Sequence, residues 1–242
     1  MDYITNQINA LIGEEDLEPS ERVKKLKEVL KWDTYVKEFD LKYPETNLYN
    51  PAIEGYKEYL SWSDSGGWEP VNETEVLRHY PEHIPTDEAL KYLQSKSIIE
   101  IGAGNGYWTQ VINKNGGDCI ASDISPENID ESVVDYPYEI NFDNEWSVTI
   151  WDDVIEKDYS IIQKYPDRDV LFCHPEGLQW TENVLDVIDE SQKLILVAGW
   201  YPSPNATPMF FKKLINDWNL KELIPVYDWV SGHSAMYVFE KN

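Results

Sequence analysis

Ile98-Ile99-Glu100-Ile101-Gly102-Ala103-Gly104-Asn105-Gly106-Tyr107 is the stretch on which the fold turns. Its first half is a short, β-branched apolar run, which reads as a buried strand. Its second half sets three glycines at alternate positions, where a chain turns tightly or lets a ligand approach its backbone. A helix follows, with Trp108, Val111 and Ile112 at helical spacing. Strand, glycine turn and helix in that order open a βαβ unit, and such units build parallel sheets.

The pattern continues outward. Cys119-Ile120-Ala121-Ser122 reads as a second strand ending in Asp123, and a weaker third lies between Trp146 and Ile155. Asp169 to Cys173 and Lys193 to Ala198 are the fourth and fifth. Leu223 to Tyr227 and Met236 to Glu240 close the chain with only a Ser231-Gly232 loop nearby, so they should pair antiparallel. Between the strands, Thr86 can cap a helix with Ala89, Leu90 and Leu93, and Thr181 one with Val184, Leu185 and Ile188. Thr207-Pro208 opens another, carrying Phe210, Phe211, Leu214, Ile215 and Trp218. The expectation is a doubly wound α/β fold, with a mostly parallel seven-stranded sheet and an antiparallel last strand.

Residues 1–72 read differently. Ser20 can cap a helix through Val23, Leu26, Val29, Leu30, Val36 and Phe39, which Pro44 and Pro51 end. Ser61 to Trp68 has loop composition. These residues are expected to form a helical extension or cap on a main domain at 73–242. It would cover one side of that domain, line a substrate entrance, or meet a protein partner.

Composition narrows the function. The chain has 45 Asp+Glu against 20 Lys+Arg, a net charge of −25, and no basic cluster beyond pairs such as Lys24-Lys25. Nucleic acids are held largely through Lys and Arg on phosphates, so a nucleic-acid or anionic-membrane partner is not expected. Two cysteines cannot build a disulfide scaffold or a cysteine-cluster zinc site. No run has the length of a membrane span, and the first residues lack the pattern of a signal peptide, so a cytoplasmic location is expected.

The glycine loop narrows it further. The dinucleotide fingerprint is G-x-G-x-x-G, and its third glycine would fall on Tyr107. That ring would crowd the helix–strand contact, which disfavours a dinucleotide oxidoreductase. The loop also lacks the Gly-Lys-Ser/Thr end of a P-loop. With Glu100, Gly102, Gly104 and Gly106 it resembles motif I, E/D-x-G-x-G-x-G, of the seven-stranded S-adenosylmethionine-dependent methyltransferases. That resemblance implies that the loop, Ala103 included, holds S-adenosylmethionine. Glu100 would serve the methionine part, and Asp123 would take the ribose hydroxyls, a role that suits a carboxylate facing a diol. The acid facing the adenine would be Asp152, Asp153 or Asp158, and Asp158 fits the pattern best.

The resemblance extends to a methyltransferase-like subfamily of fungi and bacteria. It is carried by Ile84-Pro85-Thr86-Asp87-Glu88-Ala89-Leu90, the turn Tyr165-Pro166-Asp167-Arg168, and Gly232-His233. Where that subfamily reads C-W-P-P, this chain has Cys173-His174-Pro175-Glu176, so His174 and Glu176 depart from the pattern. No N-P-P-Y string, associated with amino-methylation of bases or glutamine, is present there.

His174 ends the fourth strand, where the methyl group would lie. It is a candidate general base or cofactor contact, with Glu176 and His233 as further catalytic candidates. His79 and His83 have a metal-pair spacing, but Pro81 interrupts it, and surface histidines are the simpler reading. No metal is expected. Trp200-Tyr201-Pro202 follows the fifth strand and would either line the site or pack against the next helix. The reading is methyl transfer from S-adenosylmethionine to an O or N atom of a small-molecule acceptor. The alternative is a non-catalytic protein-interaction module on the same fold.

Overall fold

The computed structural model describes residues 10–11, 16–30, 81, 83–124, 138–142, 146–175, 180–199, 206–228 and 234–242. Strand β2 (Ser97–Ile101) forms on the isoleucine run, and Ile98, Ile99 and Ile101 are all buried. Successive residues of a strand face opposite ways. Ile99 accordingly joins one hydrophobic cluster and Ile98 the other.

The same split repeats in the neighbours. Strand β7 (Asp169–Cys173) sends Val170 and Phe172 to one side and Leu171 to the other. Strand β8 (Lys193–Gly199) divides Leu194 and Leu196 from Ile195 and Val197. Helices α4 (Trp180–Val187) and α5 (Pro208–Asp217) cover the first side, through Val184, Leu185, Phe210 and Phe211. Helices α2 (Asp87–Leu93) and α3 (Tyr107–Lys114) cover the second, through Leu93, Trp108 and Ile112. A sheet buried on both faces between helices is the doubly wound α/β arrangement expected from the near-continuous apolar runs.

The sheet has eight strands rather than seven. With β1 (His83–Pro85), β3 (Asp118–Asp123), β6 (Val154–Glu156), β9 (Trp218–Asp228) and β10 (Ser234–Lys241), its order is β1-β9-β10-β8-β7-β2-β3-β6. The pairs β2–β3, β2–β7, β3–β6 and β7–β8 are parallel. Strand β10 lies between β8 and β9 and is antiparallel to both, as the short closing connection requires. The additional strand is β1, which pairs antiparallel with β9, His83 opposite Asp228. Three residues were too short a run to show an alternation.

The stretch expected to hold one weak third strand holds two structures. Strand β5 (Trp146–Ile150) pairs with β4 (Tyr138–Phe142) in a separate hairpin, and β6 alone joins the sheet.

Two helix starts also differ from expectation. Helix α1 (Pro19–Leu30) begins one residue before Ser20, and α4 begins one before Thr181, so neither residue is the cap. The other two caps form as expected. Thr86 Oγ1 accepts the Ala89 N–H, and Thr207 Oγ1 accepts the Phe210 N–H. The positions Val36 and Phe39 lie outside the described residues. Within the described part of 1–72, Leu11, Val23 and Leu26 enter the same cluster as the sheet. The buried Arg22 guanidinium reaches Glu88 Oε1 at 2.9 Å and ties α1 to α2. Among the described residues no helix is long and apolar enough to cross a membrane.

Strand β1 is anchored from α3, where the Trp108 indole N–H donates to the His83 carbonyl at 3.0 Å. Trp108→Phe removes this donor and the packing of the second ring. A loss of about 2–3 kcal/mol in urea unfolding is expected. An unchanged midpoint would show that the bond adds nothing.

Candidate functional site

Strands β3 and β6 lie on one side of β2, and β7 and β8 on the other. The strand order therefore reverses between β2 and β7. Open α/β sheets leave a crevice at such a point, at the carboxyl ends of the strands. Three predicted features meet there: the glycine loop after β2, Asp123 ending β3, and His174 following β7.

The three glycines are all left-handed, with φ of +71° at Gly102, +53° at Gly104 and +79° at Gly106. Their surroundings differ. A Cβ on Gly106 would stand 3.1 Å from the backbone nitrogen of Asp152, so this glycine permits a close backbone crossing. A Cβ on Gly102 would meet the Trp180 ring at 3.5 Å. A Cβ on Gly104 would meet nothing within 4 Å, so Gly104 leaves open space.

Tyr107 is the first residue of α3, and its ring meets Trp151 edge to face, 5.2 Å between centroids. The Trp151 N–H donates to the Asn105 carbonyl at 2.8 Å, and the Gln110 amide donates to the Trp151 carbonyl. The segment after the hairpin thus clasps the loop. This explains the G-x-G-x-G spacing, since the close crossing falls on Gly106 and leaves Tyr107 room for its ring.

The loop spends its own donors. Gly102 and Ala103 N–H both donate to the Ser122 carbonyl, at 2.9 and 3.1 Å. Gly106 N–H donates to the Ala103 carbonyl at 2.8 Å, and Gly104 N–H to Asp123 Oδ2 at 2.9 Å. In the first turn of α3, the Thr109 N–H donates to Glu100 Oε2 at 3.0 Å, and the Thr109 hydroxyl to the same oxygen at 2.6 Å.

Glu100 is only 2% exposed. Burial pushes its carboxyl up to about 7, and the nearby Asp123 and Asp152 carboxylates push the same way, against the two Thr109 bonds. Glu100 thus fixes the start of α3 from beneath the loop, while Asp123 closes the loop from the β3 side.

Of the acids considered for a third position, Asp158 caps a 3-10 turn (Tyr159–Lys164) and accepts both the N–H and the hydroxyl of Ser160. Those bonds hold its carboxyl below the usual range. Asp152 lies against Gly106, where partial burial raises its carboxyl. Beside them the Tyr159 and Trp180 rings lie parallel within 7°, with centroids 6.4 Å apart.

His174 has φ +47°, the one left-handed non-glycine among the described residues. Such a conformation costs about 1 kcal/mol or more and clusters at functional sites. Its N–H donates to the Val197 carbonyl at 2.8 Å, and its ring is half-buried. The His83 ring lies 5.2 Å away at 35°.

His83 corrects the expectation of a surface histidine, for it is fully buried, with Nε2 2.7 Å from Ser234 Oγ. In His83-Ile84-Pro85 the inward positions are His and Pro, and the outward one is Ile84. A reading that turns apolar residues inward would invert this strand. Ser234 carried no motif at all.

Glu176, His233, His79, Trp200 and Tyr201 lie outside the described residues. Among the described residues no group of three or more His, Cys, Asp and Glu is arranged to hold a metal ion. The Tyr165-to-Arg168 turn belongs to the opposite end of the sheet. Arg168 donates to the Ile98 and Asp118 carbonyls and pairs with Asp118 at 2.9 Å, which staples the amino ends of β2 and β3.

No family model matches the chain, and no curated protein matches it. Solved structures overlap it loosely. A ribosomal protein L11 methylase from Lactobacillus delbrueckii subsp. bulgaricus is 11% identical, over 63% of this chain and 74% of that one, with a TM-score of 0.37. A mutant of MtNAS in complex with S-adenosylmethionine is 12% identical, over 97% and 88%, with a TM-score of 0.35. The plantazolicin methyltransferase BpumL in complex with SAH is 12% identical, over 88% and 99%, with a TM-score of 0.35. Overlaps this loose say nothing about the chemistry of this chain, which rests on its own residues.

Proposed function

We propose that the chain is an S-adenosylmethionine-dependent methyltransferase acting on an O or N atom of a small-molecule acceptor. The observation that carries the reading is where the loop's donors go. A loop that cradles diphosphate presents free backbone N–H groups at a helix N-terminus. Here Gly102, Ala103, Gly104, Gly106 and Thr109 give theirs to protein oxygens, two of the acceptors being the carboxylates of Asp123 and Glu100. An anionic ligand would meet those two acids at the loop. A ligand with a positive centre and a sugar diol suits the same surface.

The open space at Gly104 leaves room for such a ligand to approach the backbone. Asp123 stands beside it to accept from the ribose hydroxyls, Glu100 adds negative charge beneath the loop as pH rises past about 7, and Asp158 is the acid for the adenine edge. When bound, S-adenosylmethionine supplies a sulfonium methyl whose carbon accepts a nucleophile as the bond to sulfur breaks. The chain's part is to position the acceptor and to receive the proton the nucleophile gives up. His174, half-exposed at the end of β7, is the described residue suited to that, with Glu176 and His233 as further candidates. The strong net negative charge supports a small acceptor over a nucleic acid.

Calorimetric titration tests the reading. S-adenosylmethionine and S-adenosylhomocysteine should bind at micromolar concentration, and NAD should not. Asp123→Ala should weaken binding tenfold or more, about 1.4 kcal/mol. Binding of NAD alone, or of none of the three, would sink the proposal.

A further inference from the structure

We infer that His83 and Ser234 are positioning residues that hold the His174 imidazole at the carboxyl edge of the sheet. The inference deepens the methyl-transfer reading, and its role for His174 as proton acceptor rests on that reading. Three residues far apart in sequence meet in this cluster. Ser234 opens β10 opposite Gly199, the last residue of β8. His174 follows β7 and donates its N–H to Val197 of β8. His83 opens β1 and lies between them, its Nε2 2.7 Å from Ser234 Oγ and its ring 5.2 Å from that of His174.

The arrangement is directional. His83 is 0% exposed and Ser234 2%, so neither side chain meets an acceptor, and Ser234 is no nucleophile. Only His174 is half-exposed. The serine hydroxyl can donate to or accept from Nε2 of His83, and at 2.7 Å it fixes the orientation of that ring whichever nitrogen carries the hydrogen. The Trp108 bond to the His83 carbonyl fixes the backbone beneath that ring. His83 then presents a fixed face to His174, whose left-handed backbone turns it away from the line of β7.

In the transfer, the acceptor's O–H or N–H proton passes to the His174 imidazole. The acceptor's electron pair forms the bond to the methyl carbon, and the pair of the broken bond stays on sulfur. A ring free to rotate would hold the receiving nitrogen in place only part of the time, and placement of a proton acceptor is a large part of its effect.

The test uses the full chain labelled with nitrogen-15 in its histidines and tryptophans, without cofactor. Long-range proton–nitrogen spectra report the tautomer and setting of each ring. Ser234→Ala should shift the ring nitrogen signals of His83 and displace those of His174, and Ser234→Thr, which keeps the hydroxyl, should restore both. His83→Phe, which keeps a flat ring, should broaden or split the His174 signals. The indole N–H signal of Trp108 reports that the fold is intact. If Ser234→Ala changes His83 and leaves His174 in place with that indole signal unmoved, the inference is overturned. A chain that shows the expected coupling but does not bind S-adenosylmethionine would retain the brace and lose the methyl-transfer reading.

Discussion

As pH rises from about 4.5 to about 7, the wild-type chain should lose about 3 kcal/mol of unfolding free energy that a Glu100→Gln variant keeps. The sign follows from proton counting. Burial raises the Glu100 carboxyl from 4.5 in the unfolded chain to about 7 in the folded one. Between those values the folded state binds more protons than the unfolded state, so stability falls with pH. Below the window both states are protonated, and the full contribution is present. Above it both are ionised, and the contribution is gone.

Burial is the largest cause of the shift; the Thr109 hydroxyl and N–H oppose it by favouring the anion, and the Asp123 and Asp152 carboxylates add to it. The Cys119 thiol, 3.2 Å from the Thr109 hydroxyl, is itself pushed up by burial and does not ionise in this range. Glutamine resembles the protonated acid and can still accept from Thr109. Urea unfolding of both proteins across the window isolates the effect from every other titrating group. Parallel curves would show that Glu100 stays ionised throughout. A cation bound in the crevice would favour the Glu100 anion, so the affinity for such a ligand should rise with pH over the same window.

The second large effect is expected at Gly106. Gly106→Ala places a methyl group 3.1 Å from the nitrogen and Cβ of Asp152 at a φ of +79°. The left-handed backbone alone costs an alanine about 1 kcal/mol. The contact adds more, because the neighbouring atoms are backbone tied to the loop through Trp151 and Asn105. A total loss of about 2–3 kcal/mol is expected, or a fall of roughly 5–10 °C in Tm for a chain of this size. Gly104→Ala is the control, for it shares the left-handed backbone but faces open space. It should lose only about 1 kcal/mol of stability. Its methyl would instead obstruct the crevice, so S-adenosylmethionine binding should fall further than stability. Equal melting of the two variants would remove the distinction drawn between the glycines.

That distinction marks how far the sequence reaches. The spacing of Gly102, Gly104 and Gly106 after an isoleucine run was enough to locate the loop. It could not say that the third glycine serves a crossing by Asp152, since that residue arrives from beyond a hairpin. The sequence places Glu100 before the loop and Asp123 at the end of the next strand. Only their hydrogen bonds show that one secures the start of α3 from below and the other closes the loop at Gly104.

The turn at Tyr165 to Arg168 had the standing of a motif and proved to be a staple at the far end of the sheet. Pro81 sets a metal pair aside and leaves His83 to the surface in the sequence, and a strand of three residues with the isoleucine outward offers no alternation to correct that.

The sequence by itself determined the local decisions: that the apolar runs starting near Ile98, Cys119, Val170 and Leu194 are strands, where Thr86 and Thr207 cap helices, and which turn carries the glycines. These depend on contacts and backbone preferences within a few residues. The tertiary structure alone decided the strand order, the eighth strand, and the meeting of His83, His174 and Ser234. Each of those depends on hydrogen bonds and packing between strands far apart along the chain, and hydrophobic periodicity carries no record of which strand lies beside which.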